Sequence, residues 1–103
     1  MNDKILALLG FAAKSGNLSF GADSVKDTLK RNKARLVIIA NDISEKSRKE
    51  INFFALKNNV PVMDIDCSLD TLSHAVGKKS GIISVNETGF ANAIRGGNAN
   101  GKN

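Results

Sequence analysis

The residues best suited to binding chemistry lie in the segment Gly21-Ala22-Asp23-Ser24, at the start of a predicted helix. The first turn of a helix leaves backbone N–H groups without intrahelical partners, and small residues let an anion approach them. Asp23 can accept hydrogen bonds from base amino groups, and Ser24 can donate or accept them. Ordinary helix capping, with Asp27 and Arg31 as a surface ion pair, is an equally good interpretation of the segment.

Lysines follow this helix start and recur near the carboxyl end of the chain. Lys26 and Lys30 share a helical stripe that differs from the apolar stripe of Val25 and Leu29. The segment Lys78-Lys79-Ser80-Gly81 predicts a loop that enters the last strand. If that loop lies beside the helix start, the two would form a clamp whose lysines neutralise phosphates. A pair of lysines is also common in ordinary surface loops.

An apolar strand carries a further pair of polar residues toward this region. The run from Arg35 to Ala40 is rich in Val and Ile and lies between two helical patterns, which is typical of a strand covered by helices on both faces. Asn41 and Asp42 follow it directly and mark its tip. Because ligands collect where strand ends open into loops, we expect Asn41 and Asp42 to contribute to the same site.

Strand and helix patterns alternate along the chain. Strand patterns cover residues 18–20, 35–41, 60–65 and 82–85. Helical patterns follow Asp3, Gly21, Ser44 and Ser68, and a last one runs through Phe90 and Ile94. The alternation predicts an α/β fold, a three-layer α-β-α sandwich with a mixed four-stranded sheet. We expect a single domain over residues 1–95 and a flexible tail over residues 96–103, because the tail has nothing to bury.

The sequence offers no evident catalytic or metal-binding set. Residues 10–16 hold glycines, a lysine and a serine, but their spacing is wrong for a phosphate-binding loop and fits a helix that ends at a glycine. His74 has no recognisable nucleophile or carboxylate partner. The single Cys67 allows no internal disulfide, and the aspartates of residues 64–70 lack the spacing of a calcium loop. We therefore predict no catalytic residues, no metal, no cofactor and no enzymatic activity.

The net charge of the chain and its hydropathy pattern limit the kinds of partner that it could bind. The 103 residues carry 15 Lys and Arg against 10 Asp and Glu, for a net charge of +5. Basic residues prevail before residue 36 and after residue 70, so the two ends of the chain could form one surface for a polyanion, although on charge alone a soluble surface is the simpler interpretation. No run approaches the ~20 apolar residues of a membrane span, and the amino terminus lacks a basic leader. We expect a cytoplasmic protein.

Several segments together resemble one family. They are residues 9–16, Gly21, residues 33–42, Val60-Pro61-Val62, Leu72, Gly77-Lys78 and Gly89-Phe90-Ala91. Their types and order are similar to the YlxQ-like branch of a ribosomal-protein superfamily, whose relatives L-seven-Ae and L-thirty-e bind kink-turn RNA. The resemblance covers residues 4 to about 95. It implies an α/β/α sandwich that binds RNA through Gly21 to Ser24, the strand tip at Asn41 and Asp42, and the loop from Lys78 to Gly81.

The chain departs from the family's pattern at the helix start. Kink-turn binders of the family usually have Gly, a small residue, Asn and Glu here, with Lys three positions after the Glu. This chain keeps Gly21 and Ala22 but has Asp23 for Asn, Ser24 for Glu and Asp27 for Lys. Asp offers only acceptors and repels phosphate, so the resemblance implies RNA binding with altered specificity. Lys26 and Lys30 would then supply phosphate contacts from the neighbouring turns.

The expected partner is structured RNA, with ribosomal RNA as one candidate. Five Phe and neither Tyr nor Trp make broad aromatic stacking a poor basis for recognition, which favours an RNA read by shape, backbone and a few base edges. We expect a monomer when free. The alternative is a protein-interaction adaptor on the same fold, with a docking surface formed by the acidic middle segment and by Phe53 beside Phe54.

Overall fold

The computed structural model describes residues 3–99. The helices are α1 (Asp3–Lys14), α2 (Ala22–Lys30), α3 (Glu45–Lys57), α4 (Leu69–Val76) and α5 (Thr88–Ala99), and the strands are β1 (Leu18–Phe20), β2 (Leu36–Ile39), β3 (Val62–Asp64) and β4 (Ile82–Val85). Each predicted element is present. The strands predicted over 35–41 and 60–65 are shorter than expected, because their ends turn into loops.

The strands form one mixed four-stranded sheet, as the sequence predicted, and their order is β1-β4-β2-β3. β2 runs parallel to β3, whereas β4 runs antiparallel to both β1 and β2. The Cα register pairs Ile39 with Ile82 and Phe20 with Ile83. Because of these directions, the beginning of β4 lies beside the ends of β1 and β2, and this arrangement brings three loops to one edge of the sheet.

Helices cover both faces of the sheet. Along β2, Leu36 and Ile38 pack into a core with α1, α4 and α5, whereas Val37 and Ile39 pack into a second core with α2 and α3. All four side chains are fully buried. Alternate residues of a strand point to opposite faces, so an unbroken apolar run is what a strand buried on both sides requires. The three-layer sandwich follows from this pattern.

Side chains cap α3 and α4 at the predicted residues. The Ser44 side chain accepts a hydrogen bond from the Ser47 N–H, and the Ser68 side chain accepts one from the Thr71 N–H. Each such cap contributes about 1 kcal/mol. Gly77 ends α4 in the left-handed conformation, with φ 77°. These local signals explain why both helices begin where the sequence analysis placed them.

The last helix continues beyond the predicted domain boundary. α5 extends to Ala99, so residues 96–99 of the segment assigned to a flexible tail belong to a helix. The remainder of that predicted tail, residues 100–103, lies outside the described residues. Within residues 3–99, no helix combines the length and the apolar character needed to cross a bilayer.

Candidate functional site

Three loops converge at the edge where β1 and β2 end and β4 begins. We call this edge the rim and define it by residues 21–24, 41–43 and 78–81. The backbone ties the loops together, because the Gly21 N–H donates to the Ile82 carbonyl oxygen at 2.9 Å and the Ala40 N–H donates to that of Gly81 at 2.9 Å. The topology therefore brings the predicted helix start, strand tip and lysine loop side by side.

Gly21 shapes the first part of the rim. Its φ of 92° and ψ of 155° lie in a region that essentially only glycine adopts. As the N-cap of α2 it places no side-chain oxygen over the first turn. The backbone N–H groups at that turn therefore face outward without the capping oxygen that Ser44 and Ser68 supply elsewhere. Asp23 and Ser24 are both exposed beside this helix start.

Ser80 is buried and holds the lysine loop in place. Its side chain lies 3.1 Å from the Gly21 nitrogen and donates to the Ile82 carbonyl oxygen at 2.7 Å. Its backbone N–H donates to the Ser73 hydroxyl at 2.9 Å. The residue is only 7% exposed. We predicted Ser80 as a residue that contacts RNA; in the structure its hydroxyl is bonded to the backbone of Gly21 and Ile82 and holds the loop in place.

Asn41 and Asp42 are exposed but also make internal contacts. The Asn41 N–H donates to the Cys67 carbonyl oxygen at 2.9 Å, and its side-chain amide lies 3.4 Å from Asp66. One carboxylate oxygen of Asp42 accepts from the Leu69 N–H at 2.8 Å and so caps α4 together with Ser68. The strand tip therefore anchors the start of α4 to the rim.

A groove opens between the starts of α2, α3 and α4. Its volume is about 400 Å³, and it is lined by Gly21, Ala22, Asp42, Ile43, Leu69 and Lys79, among others. Ile43 and Leu69 are half-buried and form an apolar floor. The Ile43 side chain packs closely against Gly81, which has no side chain; a Cβ at that position would lie only 2.8 Å from Ile43. The start of α2, which has no side-chain cap, and Lys79 bring positive charge to the groove, and the carboxylate of Asp42 also lines it.

Both lysines of the loop are exposed, but they occupy different places. Lys79 lines the groove, whereas Lys78 does not, and its ammonium lies 5.3 Å from the centroid of the Phe20 ring. A cation over an aromatic face is held by attraction to the ring. Lys78 is thereby kept at the β1 side of the rim, while Lys79 faces the α3 side of the same edge.

Lys26 and Lys30 point elsewhere, which the sequence did not reveal. The Lys26 ammonium donates to Glu50 of α3 at 3.0 Å and lies 3.7 Å from Asp23, and its side chain is only 21% exposed. The hydrogen bond to Glu50 raises the pKa of Lys26. Both ammonium groups lie over the Phe54 ring, at 5.9 Å for Lys26 and 5.6 Å for Lys30. The two lysines thus stabilise the contact between α2 and α3 along the side of the molecule.

Among residues 3–99, no three His, Cys, Asp or Glu side chains come together where they could hold a metal ion. Burial, reinforced by the charges of Asp66 and Asp42, raises the pKa of the Cys67 thiol, so that thiol is protonated and weakly reactive at neutral pH. The groove therefore combines a concave shape, the apolar side chains of Ile43 and Leu69 and the exposed ammonium group of Lys79.

Sequence reasoning missed the apolar floor of the groove and the support for Ser80. Ile43 is the apolar residue in an otherwise polar loop, and Leu69 directly follows a helix cap, so each carried a weak signal. Ser73 lies in the middle of α4, and nothing in its neighbourhood along the chain indicates that it would bond the Lys78–Gly81 loop.

Comparison with known proteins shows what this chain resembles. Residues 3–94 match the ribosomal protein L7Ae/L30e/S12e/Gadd45 family. The chain is 26% identical over 88 residues to the RNA-binding protein YlxQ of Enterococcus faecium, which covers 85% of this chain and 84% of that protein. It is 31% identical over 77 residues to the large ribosomal subunit protein eL30 of Euphorbia esula, with 75% and 69% of the two chains covered.

Solved structures share the fold. A protein of unknown function from Bacillus halodurans has a TM-score of 0.85 and 27% identity, and the match covers 89% of this chain and 93% of that one. The 15.5kD RNA binding protein of Giardia lamblia has a TM-score of 0.76 and 22% identity over 91% and 83% of the two chains. At that identity the second similarity concerns the fold alone.

Proposed function

Because the chain belongs to the ribosomal protein L7Ae/L30e/S12e/Gadd45 family, we propose that it is a non-enzymatic, ribosome-associated RNA-binding protein that uses its rim to recognise structured, kink-turn-like RNA. The relatives named for RNA binding or for the large ribosomal subunit support this proposal. The partner would be structured RNA, with ribosomal RNA as one candidate, bound in the cytoplasm by a monomer without a cofactor.

The observation that carries the proposal is the convergence of three helix starts and the exposed Lys79 on one groove, with the exposed Lys78 next to Lys79 in the same loop. Phosphate oxygens suit the N–H groups at the start of α2 and the ammonium groups of Lys78 and Lys79. A base that has left the stack suits the apolar floor of Ile43 and Leu69. An RNA with a bend and an unpaired base presents both features at once, whereas a regular duplex keeps its bases stacked and hidden.

The contribution of the rim lysines is testable by the salt dependence of binding. We expect Lys78→Ala combined with Lys79→Ala to weaken binding of a short kink-turn RNA and to reduce the slope of log affinity against log salt by about 2, because two phosphate contacts are lost. Fluorescence anisotropy between 50 and about 300 mM salt measures both quantities. Unchanged affinity and slope would overturn the assignment of the rim.

A matched control exists at the opposite edge of the sheet. Lys14 and Lys33 are exposed and precede β1 and β2, so they lie at the far ends of these strands from the rim. Lys14→Ala combined with Lys33→Ala removes the same net charge. If binding depended on overall charge alone, this control would lose as much affinity as the rim variant. The proposal requires a clearly smaller loss.

The adaptor alternative makes the opposite prediction for nucleic acid. An adaptor that acts only through proteins would leave a kink-turn RNA and its unbulged duplex equally unbound, and the purified protein would show the ultraviolet absorbance ratio of protein alone. Exposed apolar side chains on α3 favour a protein-binding role, and that role does not exclude RNA binding at the rim.

A further inference from the structure

The outward face of α3 is apolar in the middle and basic around it. Phe53 is 60% exposed and Leu56 is 79% exposed, although both are large apolar side chains. Lys46, Lys49 and Lys57 are exposed as well, and the spacings of three and four residues place all five on one side of the helix. We call these five residues the α3 patch. They lie opposite Ile51 and Ala55, which are on the inward side of α3 and are completely buried.

The exposed ring of Phe53 is held in a defined position. Its centroid lies 5.3 Å from that of Phe54, with an angle of 80° between the ring planes. Phe54 in turn packs against the core between α3 and the sheet and lies under the ammonium groups of Lys26 and Lys30. A side chain fixed before binding loses little conformational freedom when a partner covers it. Phe53 is therefore suited to be an anchor residue.

The basic residues of α3 outnumber its acidic ones, because Lys46, Arg48, Lys49 and Lys57 stand against Glu45 and Glu50. Glu50 is bonded to Lys26, and Glu45 lies 4.0 Å from Arg48. Arg48 is also paired with Asp64 of β3. The three lysines of the patch therefore determine its electrostatic character, which differs from the acidic docking surface that the sequence suggested for the adaptor alternative.

We infer that the α3 patch docks an acidic, amphipathic helical segment of a protein partner. Phe53 and Leu56 stand three residues apart on a helix, and that spacing fits an apolar stripe at i, i+3 and i+4 on a second helix. Acidic residues beside that stripe would face Lys46, Lys49 and Lys57. Complementary charge speeds encounter and selects the partner, while burial of the two apolar side chains provides the affinity.

Other occupants fit the patch less well. A second copy of this chain, docked about a two-fold axis, would bring the same three lysines against their own equivalents. An RNA would gain phosphate contacts from the lysines but nothing from Leu56, which is the most exposed apolar residue of the patch and has no aromatic face. Only a partner with both an apolar stripe and negative charge matches all five residues.

Synthetic peptides provide the direct test. The probe is a helical peptide with Leu and Phe at i, i+3 and i+4 positions and Glu at the remaining positions. One control peptide has the same composition in scrambled order, and the other has Lys in place of Glu. Peptide titrations of the full, isotope-labelled chain, followed by amide chemical shifts, should show shifts along α3 for the acidic amphipathic peptide and none there for the controls. Equal binding of all three peptides would overturn the inference.

Variants of the chain separate apolar from electrostatic contributions. Phe53→Ser combined with Leu56→Ser should weaken acidic-peptide binding by about tenfold or more, as expected for loss of central apolar anchors. Phe11→Ser is the matched control, because Phe11 of α1 is also 60% exposed. Lys49→Glu combined with Lys57→Glu should abolish acidic-peptide binding and confer binding of the Lys-containing peptide. All of these side chains are exposed, and thermal melts check that each variant folds.

The remaining outcomes identify a different occupant. Kink-turn RNA affinity should be unchanged by Phe53→Ser combined with Leu56→Ser, and a loss of RNA affinity would make the patch a nucleic-acid surface and overturn the inference. Sedimentation that shows a dimer of the native chain, lost in the same variant, would assign the patch to self-association and also overturn it. Neither result changes the test of Lys78 and Lys79, so the inference about the α3 patch and the proposed function of the rim are tested independently.

Discussion

Individual polar residues at the rim divide into those that build the edge and those that face outward. The side-chain oxygen of Ser80 accepts a hydrogen bond from the Gly21 N–H, and a carboxylate oxygen of Asp42 accepts one from the Leu69 N–H. Ser80 is buried, and a buried hydroxyl is almost always bonded internally because leaving it unbonded is costly, whereas Asp42 is exposed and bonds the start of α4 from the surface. The exposed positions Asp23, Lys78 and Lys79 are consequently the ones whose substitution is expected to change binding most directly.

Asp23 is expected to weaken RNA binding, because it adds negative charge at the rim. Its side chain is fully exposed, and its nearest cationic partner, Lys26, lies 3.7 Å away and is bonded to Glu50 as well. Asp23→Asn removes the charge and adds a donor with almost no change in shape. We expect kink-turn RNA affinity to rise about two- to fivefold at low salt and the gain to shrink as salt is added. Anisotropy titrations at two salt concentrations measure this.

Asp27→Asn serves as the control for Asp23→Asn. Asp27 stands one turn further along α2 and forms an ion pair with Arg31 at 3.1 Å. The substitution changes the net charge by the same amount but farther from the rim. An equal gain in affinity for both variants would indicate a general charge effect and would contradict a specific role for Asp23.

The start of α5 depends on one carboxylate. Glu87 precedes the helix, and its side chain accepts a hydrogen bond from the Phe90 N–H at 2.7 Å. Hydrogen bonds from the backbone of Phe90, and then of Gly89, lower the pKa of Glu87 from its ordinary value of 4.5. A carboxylate with a lowered pKa in the folded state stabilises the fold above its unfolded pKa, and this contribution is lost as the pH falls through the folded value.

Glu87→Gln should therefore lower Tm at neutral pH and have little effect in acid. At pH 7 the native carboxylate is charged and bonded to the helix start, whereas the amide of the variant is a weaker acceptor. In acid, once the pH has fallen below the folded pKa of Glu87, the native group is protonated, and the two melting temperatures should converge. Circular dichroism melts at the two pH values measure the difference.

Glu45→Gln provides the comparison for Glu87→Gln. Glu45 is a carboxylate in the first turn of α3, which already has its cap from Ser44. We expect a smaller loss of Tm at pH 7 than for Glu87→Gln. A difference between native protein and Glu87→Gln that stays constant across the pH range would contradict the capping role of Glu87.

The whole molecule presents two separate surfaces on one compact scaffold. The rim adjoins Ser44, the cap of α3, and Lys46 of the α3 patch lies in the first turn of that helix. Phe53, at the apolar centre of the patch, stands nine residues beyond Ser44, or about 13 Å along the helix axis, and is exposed. Lys26 and Lys30 lie between them and tie α2 to α3. This separation makes a ternary complex geometrically feasible.

We predict that the acidic amphipathic peptide and kink-turn RNA bind the protein at the same time. A saturating amount of the acidic amphipathic peptide should change kink-turn RNA affinity by less than about twofold, because its contacts do not overlap with the rim. Anisotropy of labelled RNA, titrated with protein with and without peptide, tests this. Competition would mean that RNA reaches α3 and that the two surfaces are one. Lys14→Ala combined with Lys33→Ala should leave the ternary complex intact.

Much of the fold follows from local patterns of residue types. The unbroken Val and Ile run of β2 requires cover on both faces, and Ser44, Ser68 and Gly77 mark helix ends through bonds or dihedral angles confined to a few residues. These effects act over one or two turns, so the amino-acid sequence alone reveals them. The resemblance on residues 4 to about 95 indicated the family for the same reason, since its motifs are short and occur in order.

Only the tertiary structure decided which partner each side chain of the predicted site bonds. Ser80 bonds Gly21 across 59 positions of sequence, Asp42 caps α4 across 27, and Lys26 turns toward Glu50, which lies 24 residues away. Partners so distant in sequence are brought together by the antiparallel pairing of β4 with β1 and β2 and by the packing of α2 on α3. A helical stripe shows that Lys26 and Lys30 share a side, but which neighbour covers that side depends on the assembled layers.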